Sequence, residues 1–175
     1  MEYSRIFSKK DKFYDQAIEL YKRSFPKEER RTMADQQKIM KNKDYNFIVV
    51  TKDKQFVGFV MFWLYSDKLY FEHFCVSEEL RNKGLGTQIL QWLKQKQRKM
   101  ILEVEPPTSE ITKRRIGFYK RNGFVVNDYE YYQLPYRKND ERIKLLILTN
   151  NGLLDQKDYA EFVEYITEFV YPKFQ

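Results

Sequence analysis

The stretch from Tyr45 to Val76 constrains the fold most. Three apolar runs, Tyr45 to Lys52, Gln55 to Tyr65 and Lys68 to Val76, are separated only by Asp53-Lys54 and Ser66-Asp67. Each run is rich in aromatic and β-branched residues, and each gap is a two-residue turn. Strands joined this tightly lie antiparallel. The spacing therefore predicts a three-strand meander, which excludes an all-helical bundle.

Around this core the chain reads as strand Tyr3 to Phe7, then helix Asp11 to Ser24 ended by Pro26, then a polar helical stretch Glu28 to Lys43. After the meander come helix Gly84 to Arg98, strand Met100 to Val104 stopped by Pro106-Pro107, and helix Ile111 to Arg121 ended by Asn122-Gly123. Strands Phe124 to Leu134 and Ile143 to Thr149 follow, and a last amphipathic helix, Asp155 to Phe169. The order β-α-α-β-β-β-α-β-α-β-β-α is that of a mixed α/β sheet. With 175 residues and no linker-like tract, the expectation is one domain over 1–175, with a core over 1–149 and a helical extension over 150–175.

Cys75 is the only cysteine and His73 the only histidine. An intramolecular disulfide and a multi-cysteine zinc site are excluded, and a His-based metal cluster is argued against. The longest apolar run, Phe56 to Tyr65, has ten residues, against about 20 for a spanning helix. Met1-Glu2-Tyr3-Ser4-Arg5 lacks the apolar segment of a secretory signal. A cytoplasmic protein with no membrane partner is expected. Residues 81–121 hold eleven Lys/Arg and three acids, +8 of a total of +7, so the rest sums to −1. Such a field suits an anionic ligand; a pair of solvated helix faces is the plainer explanation.

The most specific segment is Phe71-Glu72-His73-Phe74-Cys75-Val76 followed by Arg81-Asn82-Lys83-Gly84-Leu85-Gly86-Thr87. A strand ends, a loop follows, and glycines open a helix. The first N–H groups of a helix have no internal partner and carry partial positive charge, so a diphosphate is favoured there. Gly84 and Gly86 let backbone approach closely, and Arg81 and Lys83 add charge. A P-loop is absent. A dinucleotide fingerprint would need a small residue where Ile89 stands, and Ser77 to Lys83 is too long for its tight turn.

This segment resembles motif A of the GNAT superfamily of N-acetyltransferases, Arg/Gln-x-x-Gly-x-Gly/Ala after a central strand. Ile116-Gly117-Phe118-Tyr119-Lys120-Arg121-Asn122-Gly123-Phe124 resembles the family's second signature, Leu-Tyr-x-x-x-Gly-Phe. Both occur in the family's order, with the strand Met100 to Val104 between them. The resemblance covers everything but the last helix. It implies a GNAT-like α/β fold, with a mostly antiparallel sheet of about seven strands, helices on both faces and an extra C-terminal helix.

The activity implied is direct, ternary-complex transfer of an acetyl group from acetyl-CoA to a primary amine, without a metal. Main chain around Phe74, Cys75 and Val76 would pair with the pantetheine arm, and a backbone N–H near Val76 would polarise the acetyl carbonyl. Arg81, Asn82, Lys83, Gly84, Leu85, Gly86 and Thr87 would hold the pyrophosphate. Thr112 stands where many members have an Asn that contacts the cofactor. The family's general acid is carried by Tyr119, although a helix tyrosine among fourteen is ordinarily packing. Glu103 and Glu72 are the candidate bases, each also readable as an ion-pair or half-exposed strand residue. By alternation Glu72 shares a strand face with Phe74 and Val76, and His73 lies on the other. Tyr129, Tyr131, Tyr132 and Tyr136 are candidates for the acceptor wall, with packing the plainer role. The last helix is a cap or a homodimer surface. Two other classes compete: an acyl-CoA-binding regulator without catalysis, and a basic nucleic-acid-binding module, for which no recognised signature is present.

Overall fold

The computed structural model describes residues 1–171. Its elements are mixed α/β, and its contacts divide the chain into two compact units, Met1–Met100 and Ile101–Gln175.

The first unit holds β1 (Glu2–Arg5), α1 (Tyr14–Ser24), α2 (Met33–Ile39), β2 (Tyr45–Lys52), β3 (Gln55–Tyr65), β4 (Lys68–Val76) and α3 (Leu85–Lys94). The meander forms as its turns dictate, with β1-β2-β3-β4 paired antiparallel in that order. Phe59 on β3 meets Tyr21 of α1 edge-on at 6.0 Å. Phe62, three residues on, lies under Lys96 just beyond α3. Alternation therefore places α1 and α3 on opposite faces. Phe47, Phe59 and Trp63 are fully buried, each contributing roughly 1.5–3 kcal/mol.

Two expectations change here. The helix expected over Glu28 to Lys43 is a short 3-10 turn, Lys27–Glu29, followed by α2 alone. Arg30 is extended, and Thr32 caps α2 by accepting from Asp35 N at 3.1 Å. A cap residue cannot itself be helical. In β4 the register with β3 slips between Met61↔His73 and Phe62↔Phe71, so Glu72 is the extra residue of a bulge. A bulge breaks alternation. Phe71 and Phe74 now share a face, their rings 5.4 Å apart. Glu72 and His73 point together to the opposite, α1-facing side, where Glu72 meets Trp63 and His73 meets Tyr21. The expected placement of Glu72 beside Phe74 and Val76 is thereby corrected.

The second unit holds β5 (Lys99–Val104), whose first two residues precede the boundary, then α4 (Glu110–Arg121), β6 (Phe124–Val126), β7 (Tyr131–Gln133), β8 (Ile143–Asn150) and α5 (Gln156–Tyr165). Residues Ile101–Val104 pair antiparallel with Leu146–Thr149 of β8, and β8 also pairs with both β6 and β7. The strand expected over Phe124 to Leu134 is thus two strands, which makes eight among the described residues, in keeping with a sheet of about seven. Asn127 stands at the break. Its backbone N–H donates to Ile147 O at 2.9 Å, its Nδ2 to Thr149 Oγ1 at 2.9 Å, and its Oδ1 accepts from Leu154 N at 2.7 Å. A side chain that bonds the neighbouring backbone replaces ladder bonds. Gly123, with φ 81°, ends α4 as expected. The C-terminal helix is α5 as far as Tyr165, then a π turn over Ile166–Val170.

Candidate active site

The glycine loop lies wholly in the first unit. Ser77 N–H donates to Val57 O at 2.9 Å as β4 ends. A short 3-10 turn, Glu78–Leu80, leads to Arg81, whose Nε donates back to Val76 O at 3.3 Å. Residues 81–84 are exposed. Asn82 has φ 62° and Gly84 has φ 72° with ψ near zero, so the left-handed step that starts α3 falls on glycine. A Cβ at Gly84 would meet nothing within 4 Å, so the space before it is open. α3, like α1, has no side-chain cap, whereas Thr32, Ser109 and Asp155 cap α2, α4 and α5. The N–H groups of Leu85 and Gly86 open the first turn of α3, ahead of the helix's own hydrogen-bond ladder. This cradle fits a diphosphate: exposed, cationic at Arg81 and Lys83, and open where a side chain would intrude.

Beside it, Gly58 lies opposite Val76 in the β3–β4 register. A Cβ there would fall 2.2 Å from Cys75 O, so glycine allows the close approach of the two strands. Phe74 and Val76 are half-buried. The Cys75 side chain turns towards α1, its Sγ 3.0 Å from Ser24 Oγ.

Glu72 sits in a network that sequence reasoning missed. Its carboxylate is fully buried, although main-chain atoms at the bulge leave the residue half-exposed overall. Oε1 pairs with the equally buried Arg31 guanidinium, and Oε2 accepts from Trp63 Nε1 at 2.9 Å. The Arg31 guanidinium also lies over the Tyr45 and Trp63 rings. His73 is packed against Tyr21 and Phe25, with Nε2 2.9 Å from Glu29 O. Burial lowers the His73 pKa, and the nearby Glu72 charge opposes that shift. Nothing in the polar run Glu28 to Lys43 marks Arg31 as the buried one.

Glu103, Thr112 and Tyr119 belong to the second unit. Glu103 is half-buried; Tyr131 donates to Oε1, Gln133 Nε2 donates to Oε2 at 3.0 Å, and the Tyr171 hydroxyl lies 3.5 Å from Oε2. Thr112 is engaged in the α4 cap: its Oγ1 accepts from Ser109 N at 3.0 Å, and its N–H donates to Ser109 Oγ at 3.2 Å. Tyr119 is buried between Phe118 and Phe124, at 5.2 and 5.6 Å. Of the other tyrosines, Tyr131 and Tyr136 are buried, Tyr132 is exposed, and Tyr129 stacks on Tyr159 at 3.9 Å. Among the described residues there is no metal-ligating cluster, and no helix is long and apolar enough to cross a membrane.

Comparison with known proteins bears directly on these parts. Residues 43–126 match the family described as acetyltransferase (GNAT) domain. A Bacteroides thetaiotaomicron protein, assigned as an acetyltransferase of the GNAT family, is 31% identical. Its solved structure has a TM-score of 0.90 over 98% of each chain. YjbC of Bacillus subtilis strain 168, assigned as an acetyltransferase, is 29% identical over 102 residues, 57% of this chain. This chain covers 52% of YjbC, about half its length. A GNAT acetyltransferase of Elizabethkingia anophelis, solved with acetyl-CoA bound, shares the fold at TM-score 0.56 and 12% identity, over 85% of this chain and 96% of that one. With near-full-length likeness to one member, and the glycine loop inside the matched segment, the chain belongs to the GNAT family of acetyltransferases.

Proposed function

We propose that the protein transfers an acetyl group from acetyl-CoA to a primary amine by direct attack in a ternary complex. The observation that carries this reading is the uncapped, glycine-initiated N-terminus of α3, reached from β4 through an exposed loop that presents Arg81 and Lys83 next to it. Acetyl-CoA, when bound, supplies a thioester carbonyl activated towards an amine. Arg81 and the amides from Asn82 to Thr87 hold the diphosphate. Main chain of Phe74, Cys75 and Val76 pairs with the pantetheine arm, and the N–H near Val76 stabilises negative charge developing on the carbonyl oxygen. Thr112, whose Oγ1 is engaged in the α4 cap, lies on the side of the cofactor in this reading.

Two proton transfers complete the reaction. A base takes the proton from the acceptor ammonium, because only the free amine attacks. We assign that role to Glu103, a half-buried residue whose carboxylate accepts from neutral donors. Glu72 is the weaker candidate, since its fully buried carboxylate is already neutralised by Arg31. Tyr119, the tyrosine of the second signature, gives its proton to the departing thiolate.

The test is release of free CoA thiol from acetyl-CoA over a panel of primary amines: small amines, aminoglycosides, amino acids, peptide N-termini and lysine peptides. Amine-dependent release supports the reading. Saturable acetyl-CoA binding with no release across the panel would favour a catalytically silent acyl-CoA-binding regulator.

A further inference from the structure

The groups around Glu103 lie outside the family-matched segment of residues 43–126. Tyr131 and Gln133 are two apart on β7, so alternation sets both on one face, and both donate to the one carboxylate. Tyr171 arrives by another route. Beyond α5 the chain makes its π turn, and Tyr171 N–H reaches back to Ile166 O at 3.0 Å. Single π turns re-aim the residues that follow them and recur at functional sites. Here Tyr171 is buried, its hydroxyl 3.5 Å from Glu103 Oε2 and its ring 5.0 Å from that of Tyr136. Phe162 of α5 packs on Tyr131 at 6.1 Å.

Packing alone would be served by phenylalanine at 131 and 171. Two buried phenols that converge on one carboxylate do something a phenyl ring cannot: they fix the carboxylate plane and favour its ionised form. We infer that Tyr131, Gln133 and Tyr171 are positioning residues for Glu103, so that the C-terminal helix forms part of the catalytic apparatus. This rests on the reading of Glu103 as the proton acceptor. The titratable groups bonded to Glu103 include Tyr131 of β7 and Tyr171 of the C-terminal end, and Tyr136 of the loop after β7 lies against both phenols. β8 sets the apolar Ile147 opposite it. Burial and the Glu103 charge raise the Tyr131 pKa well above its ordinary value, which keeps this phenol a donor.

The experiment uses the full chain, labelled with carboxyl-13C glutamate, with the Glu103 signal assigned by its loss in Glu103→Gln. Tyr131→Phe should move the Glu103 titration midpoint to higher pH by about one unit. It should move the acid limb of the acetyl-transfer rate by the same amount and leave the KM for acetyl-CoA unchanged. Tyr171→Phe should give a smaller shift in the same direction, because its contact is longer. A midpoint and limb unmoved in both variants would overturn the positioning role. If Glu103→Gln itself keeps full rate and the same limb, Glu103 is not the base, and its catalytic positioning falls too. If Glu103→Gln removes the limb while both Tyr→Phe variants leave it in place, only the positioning claim falls.

Discussion

Glu72 and His73 are consecutive in β4, yet Oε1 of one lies 4.0 Å from Nδ1 of the other. In a regular strand these side chains would leave opposite faces. The bulge at Glu72 turns both towards α1, and it is this turn that delivers the Glu72 carboxylate to Arg31 and Trp63.

The Arg31–Glu72 pair should behave as an anchor. Glu72→Gln leaves a buried guanidinium uncompensated and should cost about 3–5 kcal/mol, read as a fall in the urea midpoint. Arg31→Met combined with Glu72→Leu should recover most of that loss. Recovery should be incomplete, because Trp63 Nε1 loses its acceptor. A single Glu72→Gln variant as stable as wild type would remove the anchor role.

Stability should depend on pH through His73. Its folded pKa is below 6.5, chiefly from burial. The unfolded chain therefore binds more protons once pH drops below about 6.5, and stability falls from there towards the folded value. It is fully present above about 6.5. The chain has a single histidine, so an unfolding slope in the window just below about pH 6.5 reports on this residue. His73→Phe should be less stable overall, through loss of the Glu29 contact, but flat across that window. An equal slope in the variant would assign the effect elsewhere.

Tyr119→Phe should keep the ring contacts with Phe118 and Phe124, and so change stability by under about 1 kcal/mol. Acetyl-CoA affinity should hold, while turnover drops by roughly 10²-fold or more, the scale of a lost general acid. Unchanged turnover would remove the phenol from the mechanism.

The fold was legible where local chemistry decides it. The limits of β2, β3 and β4 follow from two-residue turns, and the end of α4 follows from Asn122-Gly123. What stayed hidden depends on partners distant in sequence. Glu72 becomes the bulge residue because β3 pairs around it, and nothing in Phe71-Glu72-His73 announces that. The run Phe124 to Leu134 keeps its strand-like composition through Asn127, whose bonds go to Thr149 and Leu154. At the candidate site the glycine loop was readable, because left-handed backbone favours glycine and position 84 supplies it. The donors around Glu103 were not, since Tyr171, 68 residues further on, is aimed by the π turn before it.

Titration calorimetry of acetyl-CoA into the natively folded chain, beside Gly84→Val, tests the central claim most directly. A β-branched residue at φ 72° fills the open space before α3 and strains the left-handed step. Wild type should bind saturably with one site, and the variant should bind at least about 10-fold more weakly, a loss of roughly 1.4 kcal/mol. Equal affinity in the two proteins, or no heat from wild type at millimolar coenzyme, would contradict the account.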